Sequence, residues 1–136
     1  MNTAIEIHDS RVAAITERSG MVVVHFSPAY FHKSKGRPGF DAGTGWVQEA
    51  KLFFSEAFVG GDLPDWPCDV MGGEMTVGGE RHENLIPVPP DAVRTTVLRL
   101  TCDPVHTVTV AGRSVRLELV GEARHVEEFR PQNPPA

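Results

Sequence analysis

The side chains most able to do chemistry in this 136-residue chain are its six histidines: His8, His25, His32, His82, His106 and His125. A metal centre needs imidazole, thiolate or carboxylate groups brought together at short spacings, and no HxH, HxxxH or HExxH pattern joins any two of them. The histidines therefore read as structural or solvated groups, with no metal and no cofactor expected. His8-Asp9-Ser10 holds the residue types of a nucleophilic triad. Neighbours on an extended chain point to opposite faces, so these three cannot line up as nucleophile, base and orienter. They read instead as a turn, with the Asp9 and Ser10 side chains bonding nearby backbone N–H groups.

Three other segments carry concentrated polar groups. The stretch from Lys33 to Gly45 is glycine-rich and reads as a long loop, with Lys33, Lys35 and Arg37 placing three cations within five residues. Neither GxxxxGK[ST] nor GxGxxG occurs in it, so it is not a nucleotide-phosphate loop of those types. In a chain with net charge −5 it still offers local attraction for a small anionic ligand or an acidic patch on a protein partner. The turn from Gly78 to Asn84 adds the forked donor of Arg81 and the ring of His82. Trp66, between Asp65 and Pro67, reads as a plug for a sheet edge or as one wall of a ligand mouth. Asp62, Asp65 and Asp69 lack the spacing of a calcium-binding EF-hand loop. The candidate binding residues are thus Lys33, Lys35, Arg37, Trp66, Arg81 and His82, with no catalytic residue assigned.

The elements that must hold these groups have a period of two. Thr107 to Val110 and Ser114 to Leu119 alternate apolar and polar residues, as half-buried strands do. With Ala111-Gly112-Arg113 as a hairpin loop and a continuation through Ala123 to Phe129, the last third reads as an antiparallel meander. Ala4 to His8 and Arg11 to Glu17 repeat the alternation, and Met21 to Phe26 is a β-branched and aromatic run expected to be covered on both faces. Arg18-Ser19-Gly20 is the turn between the last two. Glu74 to Val77 and Val93 to Leu100 add further strands, and Pro87, Pro89 and Pro90 mark a crossing loop between them. Trp46 to Phe58 fits either a helix or a strand. The strand is preferred for Trp46 to Phe54, because all-β neighbours need partners for their backbone groups.

Composition fixes the class. Hydrophobic residues at 40% and charged ones at 23% are globular values, and the length suits one domain: a β unit over 1–130 and a disordered, proline-rich tail over 131–136. The acidic balance argues against nucleic acid and against an anionic membrane surface. No basic-then-apolar leader is visible in the first residues and Cys68 and Cys102 form no CxxC pair, so two reduced thiols and a cytoplasmic setting are expected.

The opening Ile5-Glu6-Ile7-His8-Asp9-Ser10-Arg11-Val12, followed after Gly20 by the strand from Met21, resembles small uncharacterised bacterial all-β proteins, some of them immunity-like. The resemblance covers about the first quarter of the chain; it implies an all-β fold and a protein partner, and it carries over no catalytic residue. The expectation is a single-domain antiparallel β-sandwich or flattened barrel with at most short helical turns. Its role would be non-enzymatic binding of a protein partner or of a small ligand at one end of the sheets, with self-association left open. The competing role is a small β-barrel enzyme built on Arg81, His82 and Glu83, which would require His82 in a concave pocket beside a second titratable group.

Overall fold

The structure, a computed structural model, describes residues 1–102 and 106–131. Among them the chain runs through β1 (Asn2–Glu6), a 3-10 turn (Ile7–Asp9), β2 (Arg11–Arg18), β3 (Met21–Ser34), β4 (Gly43–Ser55) and β5 (Phe58–Gly61). It continues through β6 (Cys68–Val77), β7 (Glu80–Glu83), β8 (Leu85–Val88), β9 (Thr96–Cys102), β10 (His106–Gly112) and β11 (Ser114–Phe129). Among the described residues there is no α-helix, so none is long and apolar enough to cross a membrane. The expected all-β, antiparallel fold is what the chain adopts.

Hydrogen bonds link the strands in the order β11-β4-β3-β2-β6-β9-β10-β5, without closing into a barrel. Strand β1 lies beside the second half of β3 and carries β8 on its other edge, while β7 is hairpinned to β6. The path bends where β2 meets β6, because those strands pair only at Arg11–Asp69 and Val12–Cys68. Beyond that corner the two halves share one core. Val22, Val24, Phe26, Leu52 and Phe54 from β3 and β4 cluster with Val70, Met75, Leu98, Leu100 and Val110 from β6, β9 and β10. Fully burying such side chains stabilises the fold by roughly 1.5–3 kcal/mol each before the entropy of ordering is subtracted.

The strand reading of Trp46 to Phe54 is realised in β4, with Ala50, Leu52 and Phe54 buried on one face. Ser19 and Gly20 make the two-residue turn between β2 and β3, both at positive φ (52° and 78°). Pro28 falls at the register shift between Phe26 and Ala29, where β3 has no ladder bond to donate. Both cysteines are thiols, Cys102 buried and Cys68 partly exposed.

Four expectations need correction. The C-terminal meander does not form: β10 lies between β9 and β5, whereas β11 pairs with β4 at the other end of the path. Gly112 serves a close crossing instead of a hairpin loop, since a Cβ there would lie 2.9 Å from the Ser55 carbonyl oxygen and 3.0 Å from the Ala57 side chain. The region from Ala123 to Phe129 does continue the preceding strand, as part of β11 past a register shift after Val120. The loop expected from Lys33 to Gly45 shrinks to residues 35–42, because Lys33 and Ser34 belong to β3 and Gly43 to Gly45 to β4. The turn expected from Gly78 to Asn84 is only Gly78-Gly79, with Glu80–Glu83 forming β7. The proline segment carries a short edge strand, β8, before it crosses; Pro87 is tolerated there because β8 pairs only with β1. Residues 132–136 of the expected tail lie outside the described residues.

The crossing makes a contrast between two glycines that can be measured. Gly112→Ala should lose about 1–3 kcal/mol in chemical denaturation, the range for overpacking a tight site. Gly60→Ala, where a Cβ would meet nothing within 4 Å, should stay within about 0.5 kcal/mol of wild type. Equal effects at both positions would mean that the β10–β11 crossing is not close-packed.

Candidate functional site

The cationic segment is held at one end of the sandwich by polar contacts. The Arg37 backbone N–H donates to Asp41 Oδ2 at 2.6 Å, and the N–H groups of Phe40 and Asp41 return to the Arg37 carbonyl at 3.1 and 2.9 Å. Asn2 Nδ2 donates to the Gly36 carbonyl at 2.7 Å, and Ser34 Oγ donates to the Ala42 carbonyl at 2.7 Å while accepting from the Gly36 N–H at 3.0 Å. The Gly39 N–H donates to His32 Nδ1. Gly36 leaves room for the Asp41 carboxylate where a Cβ would collide with it. The glycine-rich segment that reads as a long loop is therefore tied to β1, β3 and itself.

This fixes where the cations sit. The Arg37 guanidinium lies 4.4 Å from the centroid of the exposed Phe40 ring, and Lys33 Nζ lies 4.7 Å from that of Trp46. Arg11, Arg81, Arg99, Arg113 and Arg116 each lie within 4 Å of a carboxylate oxygen. Among the described residues Lys33, Lys35 and Arg37 have no such partner. Two clefts open beside them. One, of about 410 Å³, is lined by Arg37, Phe40, His82, Leu85, Pro87 and Val88 among others; the second, of about 590 Å³, by Lys33, Lys35, Thr44, Glu128, Phe129 and Arg130 among others.

Four of the six expected site residues thus gather at this end, two in each cleft. The other two do not join them. Arg81 pairs with Glu74 across the β6–β7 hairpin, while its strand neighbour His82 lines the cleft, as alternation on a strand requires. Trp66 is half-buried and packs against the core, away from these two clefts.

A second polar cluster was not read as a unit from the sequence. Ser10 Oγ is buried, donating to the Glu6 carbonyl at 2.8 Å and accepting from the Tyr30 N–H at 2.9 Å, so it closes the 3-10 turn as a backbone bridge. Asp9 departs from its expected role as a backbone cap: it bonds the Glu6 side chain and lies 3.1 Å from His8 Nε2. Glu6, His8 and Asp9 bring ligand atoms within 4.8 Å of one another, close enough for a cation. The imidazole is set against one. Asn84 Oδ1 accepts the His8 backbone N–H at 2.9 Å, which orients the amide so that its NH2 meets His8 Nδ1. Nδ1 then accepts and Nε2 carries the proton toward Asp9, whereas a metal-ligating Nε2 needs Nδ1–H donating outward.

Behind this turn, Tyr30 Oη donates to Glu127 at 2.6 Å, joining β3 to β11, and the His32 ring packs edge-on against Phe129 at 4.5 Å. Burial lowers the proton affinity of His32, with Asp41 opposing, and the Gly39 N–H on Nδ1 keeps its ring neutral. Burial and the bond to Glu127 push the Tyr30 hydroxyl up. Burial of Glu6, then the Asp9 hydrogen bond and the charges of Asp9 and Glu127, push its carboxyl from the usual 4.5 up to about 7. The signal that could have found this cluster is Glu6 itself, a carboxylate between Ile5 and Ile7 in an apolar stretch.

The sign of the Glu6 effect on stability follows. Between pH 4.5 and about 7 the folded chain holds a proton that the unfolded chain has released, so stability falls as pH rises through that window and stays lower above it. Glu6→Gln should remove part of that slope and raise the melting temperature at pH 8 by roughly 2–5 °C, the shift that about 1 kcal/mol gives at this size. Thermal melts at pH 5 and pH 8 check this; an unchanged slope in the variant would place the buried proton elsewhere.

No family model, curated protein or solved structure matches the chain.

Proposed function

We propose that this protein is a non-enzymatic binding module that recognises negative charge on a protein partner through the loop end of its sandwich. The observation that carries the reading is the gathering of Lys33, Lys35 and Arg37, without carboxylate partners among the described residues, beside two clefts. In a chain of net charge −5 this patch acts at short range, within the roughly 8 Å over which charges interact at physiological salt. That suits a local run of acidic side chains on a partner. Exposed Phe40, 53% accessible, adds an apolar surface of the kind protein interfaces use. A protein partner also accords with the immunity-like resemblance of the N-terminal quarter.

The enzyme alternative has less support. Arg81 and His82 face apart, Ser10 is buried in backbone bonds, and the His8 ring is committed at both nitrogens.

Poly-L-glutamate of about 20 residues is a direct probe. At low salt its addition should shift the NMR amide signals of residues 33–37, and the effect should fade as salt is raised. The variant Lys33→Glu/Lys35→Glu/Arg37→Glu should lose that response while melting within about 2 °C of wild type, as surface changes do. Unchanged binding by the variant, or no response in the wild type, would contradict the reading. Tighter binding of a single-stranded oligonucleotide of equal length would overturn the class of partner.

A further inference from the structure

The cleft of about 410 Å³ has more organisation than a charged surface needs. Its volume lies in the range of small-molecule sites, which pair an apolar lining with a few fixed polar groups. Leu85, Pro87 and Val88 of β8 supply the lining, and the paired edge β1–β8 makes that wall rigid. The polar groups include Asn2 and Thr3 of β1, and the two that can serve a charged ligand are Arg37 and His82, from segments more than forty residues apart in sequence.

Arg37 is prepared for one kind of ligand. Its backbone is fixed by the Asp41 carboxylate and by the turn closing on its carbonyl, at 2.6 to 3.1 Å. Its guanidinium is laid on the Phe40 ring at 4.4 Å, which covers one face and leaves the forked N–H edge without an ion-pair partner among the described residues. A planar fork held in this way matches a carboxylate, which can take two parallel N–H···O bonds. Across the cleft, His82 is half-buried, and among the described residues the one carboxylate within 4 Å of its ring is that of the exposed Glu80, with Oε1 3.8 Å from Nε2, beyond hydrogen-bond reach. A ring N–H is therefore open to a ligand oxygen.

We propose that this cleft is a carboxylate-binding site, taking one carboxylate on a compact apolar body between Arg37 and His82. The inference deepens the reading above by naming the group that anchors at its cationic end. That carboxylate has two sources, a free small acid or the C-terminus of a partner chain, and the chemistry seen by Arg37 is the same for both.

Phenylacetate is a suitable small probe, observed by amide NMR on the intact protein. It should shift Gly36, Arg37, Phe40 and His82 signals saturably, with a Kd on the order of a millimolar for a ligand of that size. Arg37→Gln should weaken it about tenfold or more and His82→Gln several-fold. Arg116→Gln, distant from the cleft, should leave it unchanged. Phenylacetamide, which keeps the apolar body without the charge, should bind at least tenfold more weakly. Binding of N-acetyl-Gly-Pro-Phe at least tenfold tighter than phenylacetate would identify a chain terminus as the source; equal or weaker binding would identify a free acid. Equal affinity for the amide, no saturable shift, or insensitivity to Arg37→Gln would overturn the site. If poly-L-glutamate still engaged Lys33 and Lys35 in that case, the broader binding role would stand without the cleft; if it did not, both would fall.

Discussion

The architecture turns on a two-residue ladder. Arg11–Asp69 and Val12–Cys68 are the whole of the pairing between β2 and β6, extended by the Val70 N–H to the Ser10 carbonyl at 3.2 Å. Because β6 then departs to pair with β9, the hydrogen-bonded path folds on itself and its two apolar faces meet. The Arg11–Asp69 ion pair at 3.8 Å is exposed and contributes little. What holds the corner is burial on both sides of it: Val12 and Val70 are inside, and the core they join is continuous from β3 to β10. On the far side, where β2 has left β6, the Glu17 carboxylate accepts the Val59 N–H at 3.4 Å, so a side chain partly bridges strands that do not pair.

Folding the sheet this way sets the character of the loop end. The long β3 carries β2 on its first half and β1 on its second, which brings β1, β8, the 35–42 segment and the end of β11 together. Most polar groups buried there pair with one another: Tyr30 with Glu127, Glu6 with Asp9, and His32 Nδ1 with the Gly39 N–H, although His32 Nε2 has no hydrogen-bond partner among the described residues. Those contacts hold the local carboxylates in place away from direct ion pairs with the nearby cations. Asp41 is committed to the Arg37 backbone and Glu127 to Tyr30, while the exposed Glu128 lies 3.5 Å from His125. Lys33, Lys35 and Arg37 are left without a direct ion pair among the described residues, so an acidic protein presents a cluster of unpaired cations at this end.

How much of this was legible depends on the range of the interaction. The Ser19-Gly20 turn and the strand nature of Trp46 to Phe54 follow from local residue chemistry and from alternation, both visible in the sequence. The partner of a strand is not. Val108 and Val115 show the same period-two signal whether β10 and β11 pair with each other or, as here, with strands at opposite ends of the path. The cations of the site stood out because they contradict the net charge and the alternation around them. Arg81 stood out for the same reason and proved to be an ordinary cross-strand pair with Glu74. The cluster around Glu6 was hidden, since its proton affinity depends first on burial, then on Asp9, and last on Glu127 from the final strand. The glycines of the loop signalled freedom, yet Gly36 permits the carboxylate contact that removes it.

The central claim is that the cationic end is preformed, with residues 35–42 held as firmly as the strands they join. Amide hydrogen exchange resolved by residue tests it most directly, because protection reports the free energy of local opening. The account predicts that the N–H groups of Arg37, Gly39, Phe40 and Asp41 exchange slowly, within about tenfold of their neighbours in β3 and β4, while that of Lys35 exchanges fast. Exchange of all five at the rate of an unstructured peptide would contradict it, leaving the cations on a mobile loop with no fixed site to offer.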